Sequence, residues 1–163
     1  MPEKQTIEKA RADKRAGKAA STQAGEFVHE EIDHIRSGKH GARSAKQAIA
    51  IGLSKARRAG VKLPPPAKGT TSSATRESAK RALAKGRSHA KTSTRRSRAV
   101  EGALKREGHA AASHTALSRQ ASTAAKKRSA ASRHRAAEKA VKTKGQAGLH
   151  RAAVKAATTR ATR

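Results

Sequence analysis

Apolar positions recur at helical spacing in one stretch of the chain, residues 44–60. Ser44 and Gln47 fit a capping box, in which the serine hydroxyl and the glutamine side chain each bind a free backbone amide at a helix start. Gly60 suits the position after a helix end. The apolar positions on one face are Ile49, Leu53 and Ala56. The pattern therefore predicts a helix over this stretch.

A second apolar face precedes this helix and predicts its partner. The spacing indicates a helix over residues 22–37, capped by Ser21 or Thr22 and ended by Gly38. Its apolar positions are Phe27, Val28, Ile32 and Ile35. Residues 21–63 are therefore predicted to form a helical hairpin module.

The segments on either side of the hairpin have much weaker apolar patterns. Residues 2–16 read as a charged helix whose Ile7 could dock on a neighbour, but a solvated helix is the favoured interpretation. The prolines at 64–66 prevent the hairpin helix from continuing, so 64–75 is predicted to be a linker.

The predicted fold class is all-α, with a small N-terminal helical hairpin or three-helix module and a long, basic, partly disordered tail. The predicted divisions are 1–20, 21–63, 64–75 and 76–163. Alanine favours helices in the tail, but closely spaced like charges and few large apolar residues oppose them. Transient helices are predicted there at 75–85, 97–107, 113–143 and 149–160.

Charge gives more information about the function of this chain than hydropathy does. The formal net charge is +28, and it is uneven, because residues 1–66 carry 14 Lys and Arg against 7 acids while residues 67–163 carry 25 against 4. Charge of one sign at this density repels itself unless a polyanion compensates it, so nucleic acid is the expected partner.

Phosphate contacts are expected from basic residues in the hairpin and in the tail. At the turn before the central helix, cations oppose the helix dipole unless an anion is bound there, which suggests a phosphate clamp; the alternative is that they only face water. The residues predicted to bind phosphates are Lys39, His40, Arg43, Lys46, Lys55, Arg57, Arg58, Lys80, Arg81, Arg95, Arg96, Arg98, Lys126, Lys127, Arg128, Arg133 and Arg135.

Metal and catalytic chemistry find little support in the residue pattern. Cysteine is absent, and the segment from His29 to His34 departs from the zinc-protease spacing. His29 and Asp33 could share an ion at i,i+4, but two ligands on one exposed turn rarely make a site. The sequence therefore predicts no metal, no cofactor and no enzymatic activity.

The chain shows neither an apolar signal core nor a run long enough to span a bilayer. A cytoplasmic protein located in the nucleoid is expected, without a membrane partner. The oligomeric state stays open between a monomer and weak self-association through the hairpin.

Two segments resemble a family of short, very basic, alanine-rich bacterial proteins classed as a domain of unknown function. They are STQAGEFVHEEIDHIRSGKHGARSAKQAIAIGLSKARRAGVKLP and SRAVEGALKREGHAAASHTALSRQASTAAKKRSAASRHRAAEKAV, and KQAIAIGLSKARRAG is the distinctive core. The resemblance implies no activity or ligand. The tail is also similar in composition to linker-histone tails and bacterial histone-like proteins, which condense DNA.

The expected function is largely sequence-independent DNA binding through phosphate neutralisation. RNA is less favoured, because sequence-tolerant RNA binders usually stack bases on aromatic side chains and Phe27 is the single Phe, Tyr or Trp of the chain. An RNA- or ribosome-associated role, and a protein-interaction module localised by its tail, are the alternatives.

Overall fold

The computed structural model describes residues 2–88 and 93–161, and in these residues the chain forms seven α-helices and one 3-10 turn. The described residues exclude residue 1 of the predicted first segment and residues 89–92 and 162–163 of the predicted tail. In chain order the elements are α1 (Lys4–Arg15), α2 (Ala20–Arg36), α3 (Ala45–Arg58), α4 (Ser73–Ser88), α5 (Thr94–Lys105), the 3-10 turn (Ala110–Ala112), α6 (His114–Lys126) and α7 (Ala130–Ala161).

Helices α2 and α3 form the hairpin that the apolar spacing predicts. Phe27, Ile32 and Ile35 of α2 are buried as expected. The predicted stripe on α3 is partly confirmed, since Ala56 is buried and Leu53 packs against the hydrophobic core, but Ile49 is only half-buried and lies outside both core clusters. Small residues make the contact instead, because they let the two backbones approach closely. The small buried residues of α3 are Ala45, Ala48, Gly52 and Ala56.

Gly52 marks a close approach between the two helices. A Cβ at this position would lie 2.7 Å from the Cα of Val28 and 2.9 Å from the carbonyl oxygen of Phe27. Both are backbone atoms of α2, so neither can rotate away as the end of a side chain could. The packing of the hairpin therefore requires glycine here.

Replacing Gly52 with alanine is expected to destabilise the protein by about 1–3 kcal/mol through overpacking, although alanine is the better helix former. The matched control is Gly25→Ala in α2, where an added Cβ meets no atom within 4 Å. That change should stabilise the protein by up to about 1 kcal/mol. Urea denaturation followed by circular dichroism measures both effects, and stabilisation by Gly52→Ala would contradict the packing described.

The start of α3 is capped by the two residues that the sequence indicates. Ser44 Oγ accepts a hydrogen bond from the Gln47 amide at 3.2 Å. The Gln47 side chain returns a bond one residue earlier than a capping box does, because its Oε1 accepts from the Arg43 amide at 2.9 Å. Both bonds satisfy amides at the helix start.

Helix α2 begins earlier than predicted, and its predicted cap is wrong. The helix starts at Ala20, so Ser21 and Thr22 lie inside its first turn. The residue before the helix, Ala19, offers no side-chain hydrogen bond. Its first turn carries no side-chain cap of the kind that Ser44 gives α3.

Helix α1 packs against α2, so the favoured interpretation of a solvated helix is wrong. Ala10 is buried, and Ile7 packs on the same hydrophobic cluster as Phe27. The apolar face of α1 is small, but it covers Phe27, the one aromatic residue in the core. Just past the end of α1, Lys18 Nζ pairs with Asp13 Oδ1 at 2.7 Å.

Helix α4 lies against α3 although the sequence places it in the tail. Ala79 and Ala82 are buried on its inner face. Gly86, also buried, meets the Arg57 carbonyl so closely that a Cβ would clash with it. Alanine and glycine thus supply a packing surface that a search for large apolar residues does not detect.

The 3-10 turn also belongs to the core. Ala111 and Ala112 are buried there, and Arg36 Nε donates to the Ala112 carbonyl at 3.0 Å. The other buried residues of this cluster are Ile32, Ile35, Ala42 and Ala48. A segment far along the chain therefore closes one side of the hairpin.

The prediction of a long, partly disordered tail is wrong. From Ser73 the described chain is mostly helical, through α4, α5, α6 and α7, and the last helix runs to Ala161. The high helix propensity of alanine outweighs repulsion between neighbouring cations in these segments. A break occurs inside α7 at Gly145, whose φ is 64°.

The chain divides into two compact units. The N-terminal unit, Met1–Gln120, contains both hydrophobic clusters. The C-terminal unit, Ala121–Arg163, contains the end of α6 and all of α7, and none of its described residues is buried. This division differs from the four segments predicted from the sequence.

Candidate nucleic-acid interface

Lys55, one of the predicted phosphate ligands, is an internal ion-pair partner. Its Nζ lies 2.6 Å from Glu31 Oε2 and 3.2 Å from Glu30 Oε1. The Glu31 side chain is 0% exposed and that of Lys55 is 17% exposed. Lys55 therefore compensates two buried carboxylates of α2 and is not presented to a nucleic acid.

Arg57 is also turned into the fold. Its Nε donates to the Leu63 carbonyl and its Nη2 to the Pro64 carbonyl, both at 3.2 Å. Burial of the guanidinium lowers the pKa of Arg57 from its ordinary value. These bonds hold the chain where it leaves α3, so the structure gives Arg57 a positioning role in the fold.

The predicted phosphate clamp consists of Lys39, His40, Arg43 and Lys46, of which Lys39 makes an exposed ion pair and His40 is mostly buried. Lys39 Nζ lies 2.9 Å from Glu3 Oε1, and the same oxygen lies 2.8 Å from His34 Nε2. The hydrogen bonds from His34 and Lys39 lower the pKa of Glu3 to about 2. His40 is mostly buried, with its Nε2 3.5 Å from Glu31 Oε1.

Arg43 and Lys46 are the exposed cations near this turn that make no ion pair among the described residues. The capping bonds occupy the Arg43 and Gln47 amides, which leaves fewer amides for an anion than the clamp hypothesis assumed. The clamp stays a prediction that now depends on these two side chains.

The other predicted phosphate ligands are exposed and lie in or beyond the last turn of α3. Lys80 pairs with Glu77 at 2.7 Å on the surface of α4. Such exposed pairs contribute little to stability and separate readily. The exposed ligands are Arg58, Lys80, Arg81, Arg95, Arg96, Arg98, Lys126, Lys127, Arg128, Arg133 and Arg135.

Backbone hydrogen bonds connect the end of α5 to the turn before α3. The Gly41 amide donates to the Leu104 carbonyl at 2.9 Å, and the Ala42 amide donates to the Gly108 carbonyl at 3.0 Å. No described residue of α5 is buried. The helix is therefore held at its C-terminal end, with three exposed arginines at its N-terminal end, Arg95, Arg96 and Arg98.

The C-terminal unit is a cationic helical surface. Residues 121–163 carry 12 Lys and Arg against one acid, Glu138. All described Lys and Arg side chains in this unit are exposed. Among the described helices of the protein, none combines the length and the apolar character that crossing a bilayer requires.

The histidines are arranged differently from what the sequence suggested. His29 Nδ1 and Asp33 Oδ2 lie 2.8 Å apart as an exposed i,i+4 pair. Instead, the fold brings His34 and His40 together beside Glu31. The spacing of Glu31 and His34 on α2 is visible in the sequence, but the position of His40 depends on the path of the loop after α2.

Residues 11–68 match the model of a family that is described as a family of unknown function (DUF6496). The match covers the last five residues of α1 and all of α2 and α3, and it includes the first of the two segments on which the resemblance is based. This match fits an uncharacterised domain family in this region of the chain. No curated protein and no solved structure matches the chain.

Proposed function

We propose that this protein binds DNA without strong sequence preference and without catalysis, by neutralising backbone phosphates as histone-like, nucleoid-associated proteins do. The observation that carries the proposal is the C-terminal unit. It has 12 Lys and Arg against one acid, on a chain segment in which no described residue is buried. Its charge has almost no internal compensation, so a polyanion is its natural partner.

The N-terminal unit supports the proposal because three of its carboxylates, those of Asp13, Glu30 and Glu31, are buried in the fold. They pair with nearby lysines, as does the exposed Glu3 that precedes α1. The ion pairs are Lys18–Asp13, Lys39–Glu3, Lys55–Glu30 and Lys55–Glu31. The ratio of cations to acids on the protein surface is therefore higher than the composition alone suggests.

Duplex DNA is the preferred partner class. Phe27 is the one Phe, Tyr or Trp in the chain, and it is 1% exposed. Binders of single strands and of RNA loops commonly stack bases on exposed aromatic side chains. Phe27 is unavailable for such stacking, which favours recognition of the phosphate backbone of a duplex.

We extend the proposal to the setting of the protein. The family match includes the segment KQAIAIGLSKARRAG, which forms most of α3. We take this segment as the family's signature and the chain as bacterial, acting in the cytoplasm at the nucleoid. Chromatin fractionation of the source cells, with and without nuclease, tests this location.

Two charge variants of equal size test where binding occurs. The first replaces five exposed cations of the C-terminal unit with glutamine: Lys126, Lys127, Arg128, Arg133 and Arg135. The second replaces five exposed cations of α1: Lys4, Lys9, Arg11, Lys14 and Arg15. Residues 126–135 contain no acid, whereas Glu8 and Asp13 lie among the cations of α1.

The C-terminal variant is expected to reduce the slope of log K against log salt by about 4–5, since each lost phosphate contact removes about 0.9. The α1 variant should change it by about 1 or less. Fluorescence anisotropy with a duplex DNA probe measures both slopes, and duplex RNA as competitor tests the RNA alternative. Equal losses in the two variants would refute a site on the C-terminal unit, and stronger competition by RNA would favour the alternative partner.

A further inference from the structure

Glu31, His34 and His40 converge at the join between α2 and the loop that follows it. One ligand atom from each, a carboxylate oxygen or a ring nitrogen, lies within 4.8 Å of the other two. Glu31 Oε1 and His40 Nε2 lie 3.5 Å apart. Ligand atoms around a tetrahedral zinc ion lie about 3.3 Å apart, given zinc–ligand bonds of about 2.0–2.1 Å. The distance between Glu31 and His40 is therefore close to that of a zinc site, and a ligand atom of His34 lies within 4.8 Å of both.

We propose that Glu31, His34 and His40 bind a divalent transition-metal cation, with zinc as the best chemical match. Two imidazoles and one carboxylate form a ligand set that zinc commonly takes, with a fourth position left for water or another donor. Glu31 and His34 lie three residues apart on α2 and so share a face of the helix. His40 reaches the same point from the loop.

Each histidine already has the outer partner that metal-bound imidazoles usually have. His34 Nε2 lies 2.8 Å from Glu3 Oε1, and His40 Nδ1 lies 3.1 Å from the Gly41 carbonyl oxygen. With these two nitrogens donating, the lone pairs are on His34 Nδ1 and His40 Nε2. A carboxylate or a carbonyl in this place selects the tautomer and orients the ring toward the metal.

The carboxylate of Glu31 is available for a cation although Lys55 is close. Lys55 Nζ lies at ion-pair distance from Oε2, whereas Oε1 is the oxygen that faces His40. Among the described residues, neither oxygen of Glu31 receives a well-aligned hydrogen bond. A buried carboxylate that lacks directed bonds is costly, and coordination to a metal would satisfy it.

The local charge also favours a cation at this one place. The charged groups around the cluster include the carboxylates of Glu3, Glu30, Glu31 and Glu101 and the ammonium groups of Lys39, Lys55 and Lys105. With neutral histidines they sum to −1, whereas the whole chain has a formal net charge of +28. Cations are therefore repelled from most of the surface, which makes specific binding here easy to distinguish.

A bound ion would fasten the loop to α2. His40 precedes Gly41 and Ala42, whose amides bind the carbonyls of Leu104 and Gly108. A metal ion that holds His40 in place would therefore also stabilise the two backbone hydrogen bonds that join the loop to the end of α5. This inference does not depend on the proposed DNA binding, and its test is made without nucleic acid.

The full chain, freed of metal and nucleic acid, is titrated with Zn²⁺ in isothermal calorimetry. One equivalent is expected to bind. His34→Gln and His40→Gln should each weaken binding by more than the roughly 10- to 100-fold that loss of an outer-shell partner costs, and Glu3→Gln should fall within that range. The matched control is His29→Gln, which removes an exposed histidine of the same helix and should leave the affinity unchanged.

A second measurement uses the unaltered protein, so its result does not depend on whether the variants fold. In long-range ¹H–¹⁵N spectra of the histidine rings, one equivalent of Zn²⁺ should shift the signals of His34 and His40 and leave those of His29, His109 and His134 in place. Absence of stoichiometric binding, equal weakening by His29→Gln, or His34 and His40 signals that respond to pH but not to Zn²⁺ would each overturn the proposal.

Discussion

Raising the salt concentration from 50 to 200 mM is expected to weaken duplex DNA binding by about 10³- to 10⁵-fold, if the protein engages on the order of ten phosphates. The reason is that each phosphate contact releases condensed counterions, and this gain disappears as bulk salt rises. The exposed cations of the C-terminal unit and of α5 are sufficient in number for such a footprint. The loss should be similar for duplexes of unrelated sequence.

Anisotropy titrations with two unrelated duplexes across this salt range test the expectation. The structure also supplies a truncation, because a chain ending at residue 126 loses α7 without removing any described buried residue. It should lose most of the affinity and of the salt slope. A shallow slope, or a strong preference for one duplex, would contradict phosphate neutralisation as the mechanism.

Replacing Lys55 with methionine is expected to destabilise the protein by about 3–5 kcal/mol at neutral pH, the usual result of removing one partner from a buried ion pair. Glu30 and Glu31 are both buried, and Lys55 is within ion-pair distance of each. Methionine retains most of the side-chain length, so the effect reports the charge. Urea denaturation in the presence of a chelator measures it without interference from metal.

The matched control is Arg58→Met, three residues further along α3 and exposed. A surface change of this kind should alter stability by no more than about 0.5 kcal/mol. Adding Glu31→Gln to Lys55→Met should recover part of the loss, because one of the two uncompensated charges is then removed. Equal effects of Lys55→Met and Arg58→Met would show that the ion pairs do not support the fold.

Local patterns along the chain were enough to predict the hairpin. The apolar face of α2 and the Ser44 cap of α3 depend on residues within one or two helical turns, so spacing and capping chemistry reveal them. The excess of positive charge, and its concentration toward the C-terminus, is likewise a property of the sequence that no fold can change.

The extent of the core could not be predicted in the same way. Ala79, Ala82, Ala111 and Ala112 are buried, yet alanine is equally common on exposed helices, as throughout α7. Alanine contributes to a core only where another backbone comes close enough to cover a single methyl group. That condition depends on how α3, α4 and the 3-10 turn meet, and it is why a tail was predicted where part of a folded unit exists.

The assignment of individual charges also required the tertiary structure. Arg57 and Arg58 are adjacent and chemically identical, but a rotation of about 100° along the helix buries the first against the carbonyls of Leu63 and Pro64 and exposes the second. His40 meets Glu31 only because the loop returns to α2. The residue pattern alone specifies which helices form the hairpin and how much charge the chain carries. Only the fold decided which cations it uses internally and which it leaves for a partner, because burial and pairing depend on segments distant in sequence.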